Sequence, residues 1–128
     1  MPVELNHTIV QSRDRRASAE FLAHILGLEV GPEYGPFLPV ATSNGVTLDF
    51  ATAPGGQIDG QHYAFLVSDE EFDAAFARVR QAGIAYFADP HQQRPNEINH
   101  NDGGSGVYFP DPSGHMMEII TRQYGSGA

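Results

Sequence analysis

Two stretches decide how this chain is read: Leu5–Val10, "LNHTIV", and Gly60–Val67, "GQHYAFLV". Each alternates in the manner of a strand, each carries a histidine, and each runs into a helical pattern. Self-similarity of this kind marks a fold built from repeated units. Working outward, a first helix is predicted over about 14–26, with Ala17, Phe21, Ile25 and Leu28 on one face and Leu22 and Leu26 beside it. The second opens on Ser68-Asp69-Glu70-Glu71, a capping box with Ser68 as N-cap and Glu71 as its reciprocal partner. Phe72, Ala75, Phe76 and Val79 follow at helical spacing. Each helix is expected to stop at a glycine suited to a left-handed cap, Gly27 or Gly83.

After each glycine come three short strand candidates. In the first half they are about 29–30, 37–41 and 46–51; in the second, about 84–87, 106–109 and 115–121. Each half therefore reads strand, helix, strand, strand, strand. The expected fold is α+β: two βαβββ modules, a paired repeat, forming a cupped mixed sheet with helices outside. The modules are placed at about 1–54 and 61–124 of a single domain spanning 1–128, joined by the glycine-rich "APGGQIDG". Extra length in the second half lies around "DPHQQRPNEINHNDGGS", a polar stretch long for a plain connection. Asp111-Pro112-Ser113-Gly114 fits a type I turn, with Pro second and Gly fourth.

Composition narrows the chemistry. The chain has 128 residues, 41% of them hydrophobic, which suits one compact domain. Without cysteine, any metal must take nitrogen and oxygen ligands. A net charge of -9 and the lack of a basic patch argue against nucleic acid. No apolar run suggests a membrane span, and the start carries no signal-peptide pattern, so a cytoplasmic protein is expected.

The repeat itself singles out four polar residues. His7 and His62 lie on the first strand of each half. "NGVTLDF" superposes on "SGHMMEI", which sets Asp49 over Glu118 on the last strands. By alternation His7 shares a face with Leu5 and Ile9, His62 with Ala64 and Leu66, and Glu118 with Met116 and Ile120. A carboxylate among apolar neighbours needs a partner, because its unpaired burial is costly. Two imidazoles and a carboxylate could satisfy one another through a divalent cation: iron, or nickel, zinc, manganese or cobalt. Further candidates are Tyr108, a hydroxyl on the strand before the turn, and His100, an acid or base in the polar loop. His115 alternates away from Glu118, and His24 lies on a polar helix side. Phe37, Phe50, Phe65 and Tyr63 are candidates for the wall of an apolar cavity.

"LNHTIV", "QHYAFLV" and above all "GVYFPDPSGHMMEII" resemble the vicinal oxygen chelate superfamily, which includes glyoxalase I, extradiol dioxygenases, fosfomycin resistance enzymes and bleomycin-binding proteins. The resemblance implies metal ligation by His7, His62 and Glu118. Asp49 stands where glyoxalase I has a fourth ligand, usually a glutamate. It implies a metal-dependent enzyme acting on a small molecule that chelates through adjacent oxygens, as a glyoxalase-like lyase/isomerase or a dioxygenase. The alternative is a non-catalytic protein that sequesters an antibiotic in the bleomycin-resistance manner. Thiol transfer of the fosfomycin type ranks lower, since a phosphonate wants clustered cations and the chain has no lysine. A homodimer is expected from the family.

Overall fold

The computed structural model describes residues 2–127. The chain divides into two compact units, Met1–Asp59 and Gly60–Ala128. The first contains β1 (His7–Ser12), α1 (Arg15–Leu26), β2 (Leu38–Ala41) and β3 (Thr47–Thr52). The second contains β4 (His62–Leu66), α2 (Asp69–Gln81), β5 (Gly106–Pro110) and β6 (Met116–Ile120). The α+β class and the paired modules are as expected. Each unit holds a three-stranded mixed sheet, ordered β1-β3-β2 or β4-β6-β5, with the last strand in the middle. That central strand runs parallel to the first strand and antiparallel to the third element's strand.

The strand expected directly after each helix is reduced to isolated bridges, Val30 with Val40 and Phe87 with Tyr108. Prolines explain the first loss: Pro32 and Pro36 cannot donate to a ladder, and Gly31 precedes them. Asp89-Pro90 similarly follows Phe87 at once. The fold thus has six full strands among the described residues.

Helix ends follow local chemistry. Asp14 caps α1, its carboxylate accepting from the amides of Arg16 and Ala17, and Gly27 closes it in the left-handed conformation at φ 70°. Ser68 caps α2 by accepting from the Glu71 amide at 3.1 Å. The other half of the box differs from expectation: the Ser68 hydroxyl donates to the Glu71 carboxylate, also at 3.1 Å. α2 ends at Gln81 with Ala82 as its cap, so Gly83, at φ 69°, follows one residue later than Gly27 does in the first unit.

Within the first unit α1 packs on the sheet. Leu22 and Ile25 are buried, as are Val10, Leu38, Val40, Leu48 and Phe50, which alternate onto one sheet face. The buried helical stripe is Ser18, Ala19, Leu22, Ala23 and Ile25, about one position round from the expected one; Ala17 is exposed. Burying each large apolar side chain contributes roughly 1.5–3 kcal/mol, which fixes which sheet face is covered. The other face of this sheet carries His7 and Ile9, both exposed, with Thr47 and Asp49 half-buried. In the second unit Val107, Phe109, Met117 and Ile119 are fully buried. His62, Ala64 and Leu66 occupy an exposed row on β4, alternating with half-buried Tyr63 and Phe65.

Asp111-Pro112-Ser113-Gly114 forms the expected turn, closed by the Gly114 amide on the Asp111 carbonyl at 3.1 Å. The Asp111 carboxylate folds inside it, one oxygen accepting from the amides of Ser113 and His115. His115 is buried, accepts from the Gln61 amide through Nδ1 at 3.0 Å, and stands edge-on to Tyr63.

Candidate functional site

The site is set by register. Tyr108 on β5 lies directly opposite Glu118 on β6, and Ala64 on β4 lies on its other side. Directly paired residues share a sheet face. His62 pairs with Met116, two residues before Glu118, so imidazole and carboxylate meet on the diagonal. His62 Nε2 donates to Glu118 Oε1 at 2.9 Å. The Tyr108 phenol interacts with the same carboxylate, and its ring lies 5.6 Å from the imidazole. The Glu118 side chain is 12% exposed and that of His62 47%, so the acid sits below the sheet surface with the imidazole at its edge. Burial, the bond to Glu118 and that carboxylate's charge push the Tyr108 phenol well above its usual range. At neutral pH Tyr108 is therefore a proton donor and not a base.

These three residues open into a cavity of about 300 Å³, which Ala64, Ile120, Asn99, Asn101, Asp102, Ser105, Arg122 and Tyr124 also line. The polar loop that precedes β5 forms one wall. Asn99 anchors it: buried, it donates from Nδ2 to the Ala88 carbonyl at 2.9 Å and accepts from the Asn101 amide. Gly106 permits this, since a Cβ there would stand 2.8 Å from Asn99 Oδ1. His100 lies in the same loop, but its ring is outside the cavity lining; Nδ1 donates to the Gly104 carbonyl at 3.0 Å and closes a short turn.

In the first unit His7 and Asp49 stand in the corresponding diagonal, His7 pairing with Thr47 two residues before Asp49. No bond joins them. His7 Nδ1 bonds to Asn6 Oδ1 at 2.7 Å, and the Asp49 carboxylate makes no hydrogen bond or ion pair with the described residues. No group of three or more His, Asp and Glu side chains suited to a metal ion lies together among the described residues. The second unit nevertheless fits half of an N/O donor set. His62 Nε2 and Glu118 Oε1, 2.9 Å apart, are the imidazole and carboxylate donors that a divalent metal of this kind would take.

The four aromatics proposed as cavity wall do not line this cavity. Phe50 is fully buried on the opposite sheet face from Asp49, and Tyr63 and Phe65 alternate away from His62. Sequence reasoning gives no site role to Asn99, Ile120 or Tyr124, and cannot place Arg122, a cation near the final strand. Three of them were accessible to alternation, since Glu118, Ile120, Arg122 and Tyr124 fall at every second position.

A family model described as the Glyoxalase/Bleomycin resistance protein/Dioxygenase superfamily matches residues 4–119. The chain belongs to this superfamily. Among its relatives, the superfamily member "Glutathione transferase FosA" of Serratia marcescens is 31% identical over 121 residues, covering 90% of this chain and 78% of that protein. The solved structure "Oxidase ChaP-H2" is 62% identical with a TM-score of 0.96 and covers all of both chains. "Oxidase ChaP-H1" is 56% identical with a TM-score of 0.93, covering 97% of this chain and 99% of that one.

Proposed function

We propose that this superfamily member is a metal-dependent oxidase or dioxygenase acting on a small molecule with two adjacent oxygens. The observation that carries this reading is the convergence of His62 Nε2 and the Tyr108 hydroxyl on the Glu118 carboxylate inside a cavity. Support for oxidation over isomerisation comes from the 62% identity with an oxidase across the whole chain. His7, His62 and Glu118 would hold the metal, with Asp49 as a fourth donor. Both modules would form one domain, and the protein would act as a homodimer.

When bound, a divalent metal supplies a Lewis acid that stabilises negative charge on substrate oxygens. The chain's own residues do the rest. Tyr108 retains its proton and donates, which fixes the Glu118 carboxylate or receives charge on a substrate oxygen. Ala64 and Ile120 give the cavity an apolar surface, while Asn99, Asn101 and Ser105 offer amide and hydroxyl groups to a polar substrate edge.

Thiol transfer is the second reading, favoured by the 31% identity with a glutathione transferase over 121 residues. A sequestering protein without turnover is the third. Elemental analysis of anaerobically prepared protein tests the metal: stoichiometric content in wild type, lost in His7→Ala, His62→Ala and Glu118→Ala, is expected. Full occupancy in all three variants refutes the ligand set. Dioxygen uptake with catechols is expected. Isomerisation of a methylglyoxal–glutathione adduct without dioxygen would instead establish a glyoxalase. Thiol addition to fosfomycin would establish the transferase.

A further inference from the structure

The cavity holds one permanently cationic side chain among the described residues, Arg122. It is the fourth residue beyond Glu118 on the continuation of β6, with Ile120 between them on the same side of the chain. Its surroundings differ from those of the other arginines. Arg15, Arg16 and Arg94 pair with Glu33, Glu20 and Glu97. Arg80 lies over the Phe76 ring, 4.6 Å from its centroid. Arg122 forms no hydrogen bond or ion pair with the described residues.

Its position is nevertheless built. The aliphatic stem is seated on Gly104: a Cβ there would stand 2.6 Å from Arg122 Cγ, 3.1 Å from its Cδ and 2.6 Å from Thr121 Oγ1. Nη1 lies 3.9 Å from where a Gly103 Cβ would be, so the guanidinium rests over the same turn. Thr121 Oγ1 accepts from the Ser105 amide at 2.9 Å, which ties the base of the arginine to this loop. The cavity's two acids are already engaged. Asp102 accepts from the Gly125 and Gly127 amides, and Glu118 accepts from His62 with the Tyr108 phenol interacting beside it. Arg122 thus lines both this cavity and the open groove beside Leu66, exposed, with its guanidinium an unused fork of donors in a chain whose net charge of -9 otherwise repels anions.

We propose that Arg122 is the specificity-determining residue of this cavity, receiving a carboxylate or other ionised oxygen of the substrate at the end distant from Glu118. The substrate class is then an anion that also presents two adjacent oxygens. This rests on the reading of the cavity as the substrate site. A single guanidinium suits one planar oxyanion, which it can meet with two parallel hydrogen bonds.

The probes are 3,4-dihydroxybenzoate and its methyl ester, which differ in one ionised group. Binding is followed by titration calorimetry on the full chain, as purified and after chelator treatment. Wild type is expected to bind the acid at least about tenfold more tightly than the ester, the size of one charge-assisted hydrogen bond. Arg122→Gln is expected to remove that preference, bringing the acid and ester affinities together, and Arg122→Lys to restore part of it. Equal affinities in wild type, binding of neither probe, or a preference that survives in Arg122→Gln would overturn the proposal. Metal content of the same preparations separates the two readings. Metal present in wild type and lost in Glu118→Gln, without any carboxylate preference, removes the role of Arg122 and leaves the metal reading standing. A carboxylate preference in protein that never holds metal does the reverse.

Discussion

The two modules share a strand order and a register, yet only one of them assembles a polar cluster. In the second, the central-strand carboxylate of Glu118 lies between Ala64 and Tyr108, with His62 on the diagonal. In the first, Asp49 lies between Ile9 and Pro39, with His7 on the same diagonal. Two differences separate them. Asp49 is one methylene shorter than Glu118, and Pro39 brings no hydroxyl where Tyr108 has one. His62 and Glu118 consequently meet at 2.9 Å, whereas His7 turns to Asn6. A duplicated backbone therefore fixes where side chains start, while side-chain length and donor chemistry decide which pairs close.

The sharpest way to break this comparison is to remove each acid in turn. Glu118→Ala is expected to abolish metal retention and lower turnover by at least ~100-fold. Asp49→Ala, whose carboxylate has no partner in its own module, is expected to cost less than about tenfold, within the range of a supporting residue. Equal losses, measured by metal content and oxygen uptake, would give the two modules equivalent roles.

The polar loop exists only in the second module, and Gly104 is where it touches β6's continuation. Gly104→Ala places a methyl within 2.6 Å of Arg122 Cγ and Thr121 Oγ1. Overpacking of this kind is expected to lower stability by about 1–3 kcal/mol in denaturant unfolding. Arg122→Ala beside it should relieve only the part of that loss due to the seated stem, the Thr121 Oγ1 contact remaining.

Tyr108→Phe removes the hydroxyl that the first module lacks, and should cost about 1 kcal/mol of stability, one net hydrogen bond. The phenol holds its proton above the ordinary tyrosine range in the folded state. From about pH 10 upward, the unfolded chain releases this proton before the native one does, so stability falls with rising pH. The variant should lose that part of the slope, and ultraviolet titration should lose its latest-ionising tyrosine.

The smallest effect is at the turn before β6. Burial pushes the Asp111 carboxyl up, and its Oδ2 has no hydrogen-bond partner. A native acid with a raised value binds its proton more tightly than the unfolded chain does. Stability should fall as pH rises from the ordinary carboxyl value near 4 through the folded one. Asp111→Asn removes that slope while retaining an oxygen for the Ser113 and His115 amides; thermal unfolding across the acidic range reads the difference.

Much of this was legible in the residues themselves. The helix caps at Ser68 and Gly27 and the Asp111–Gly114 turn depend on a few neighbouring residues, and they form with small shifts. Alternation put His62 and Glu118 on apolar-flanked faces, and the structure buries the opposite parity of β6, Met117 and Ile119, in the core. The short strands expected after each helix do not form, because apolar residues there sit beside prolines that interrupt pairing. The aromatics were also misplaced: Phe50 is a strand aromatic like many others, and only the position of α1 makes its face the covered one.

By itself, then, the sequence determined the repeat, both helices, the six strands that form and the alternation along β1, β4 and β6, since these follow from backbone period and local hydrogen bonding. Tertiary structure alone decided that Tyr108 stands opposite Glu118, that His62 reaches it while His7 does not reach Asp49, and that Arg122 comes to rest on Gly104. Each of those depends on strand register or loop path between residues distant in the chain, and no local pattern encodes a distance of that kind.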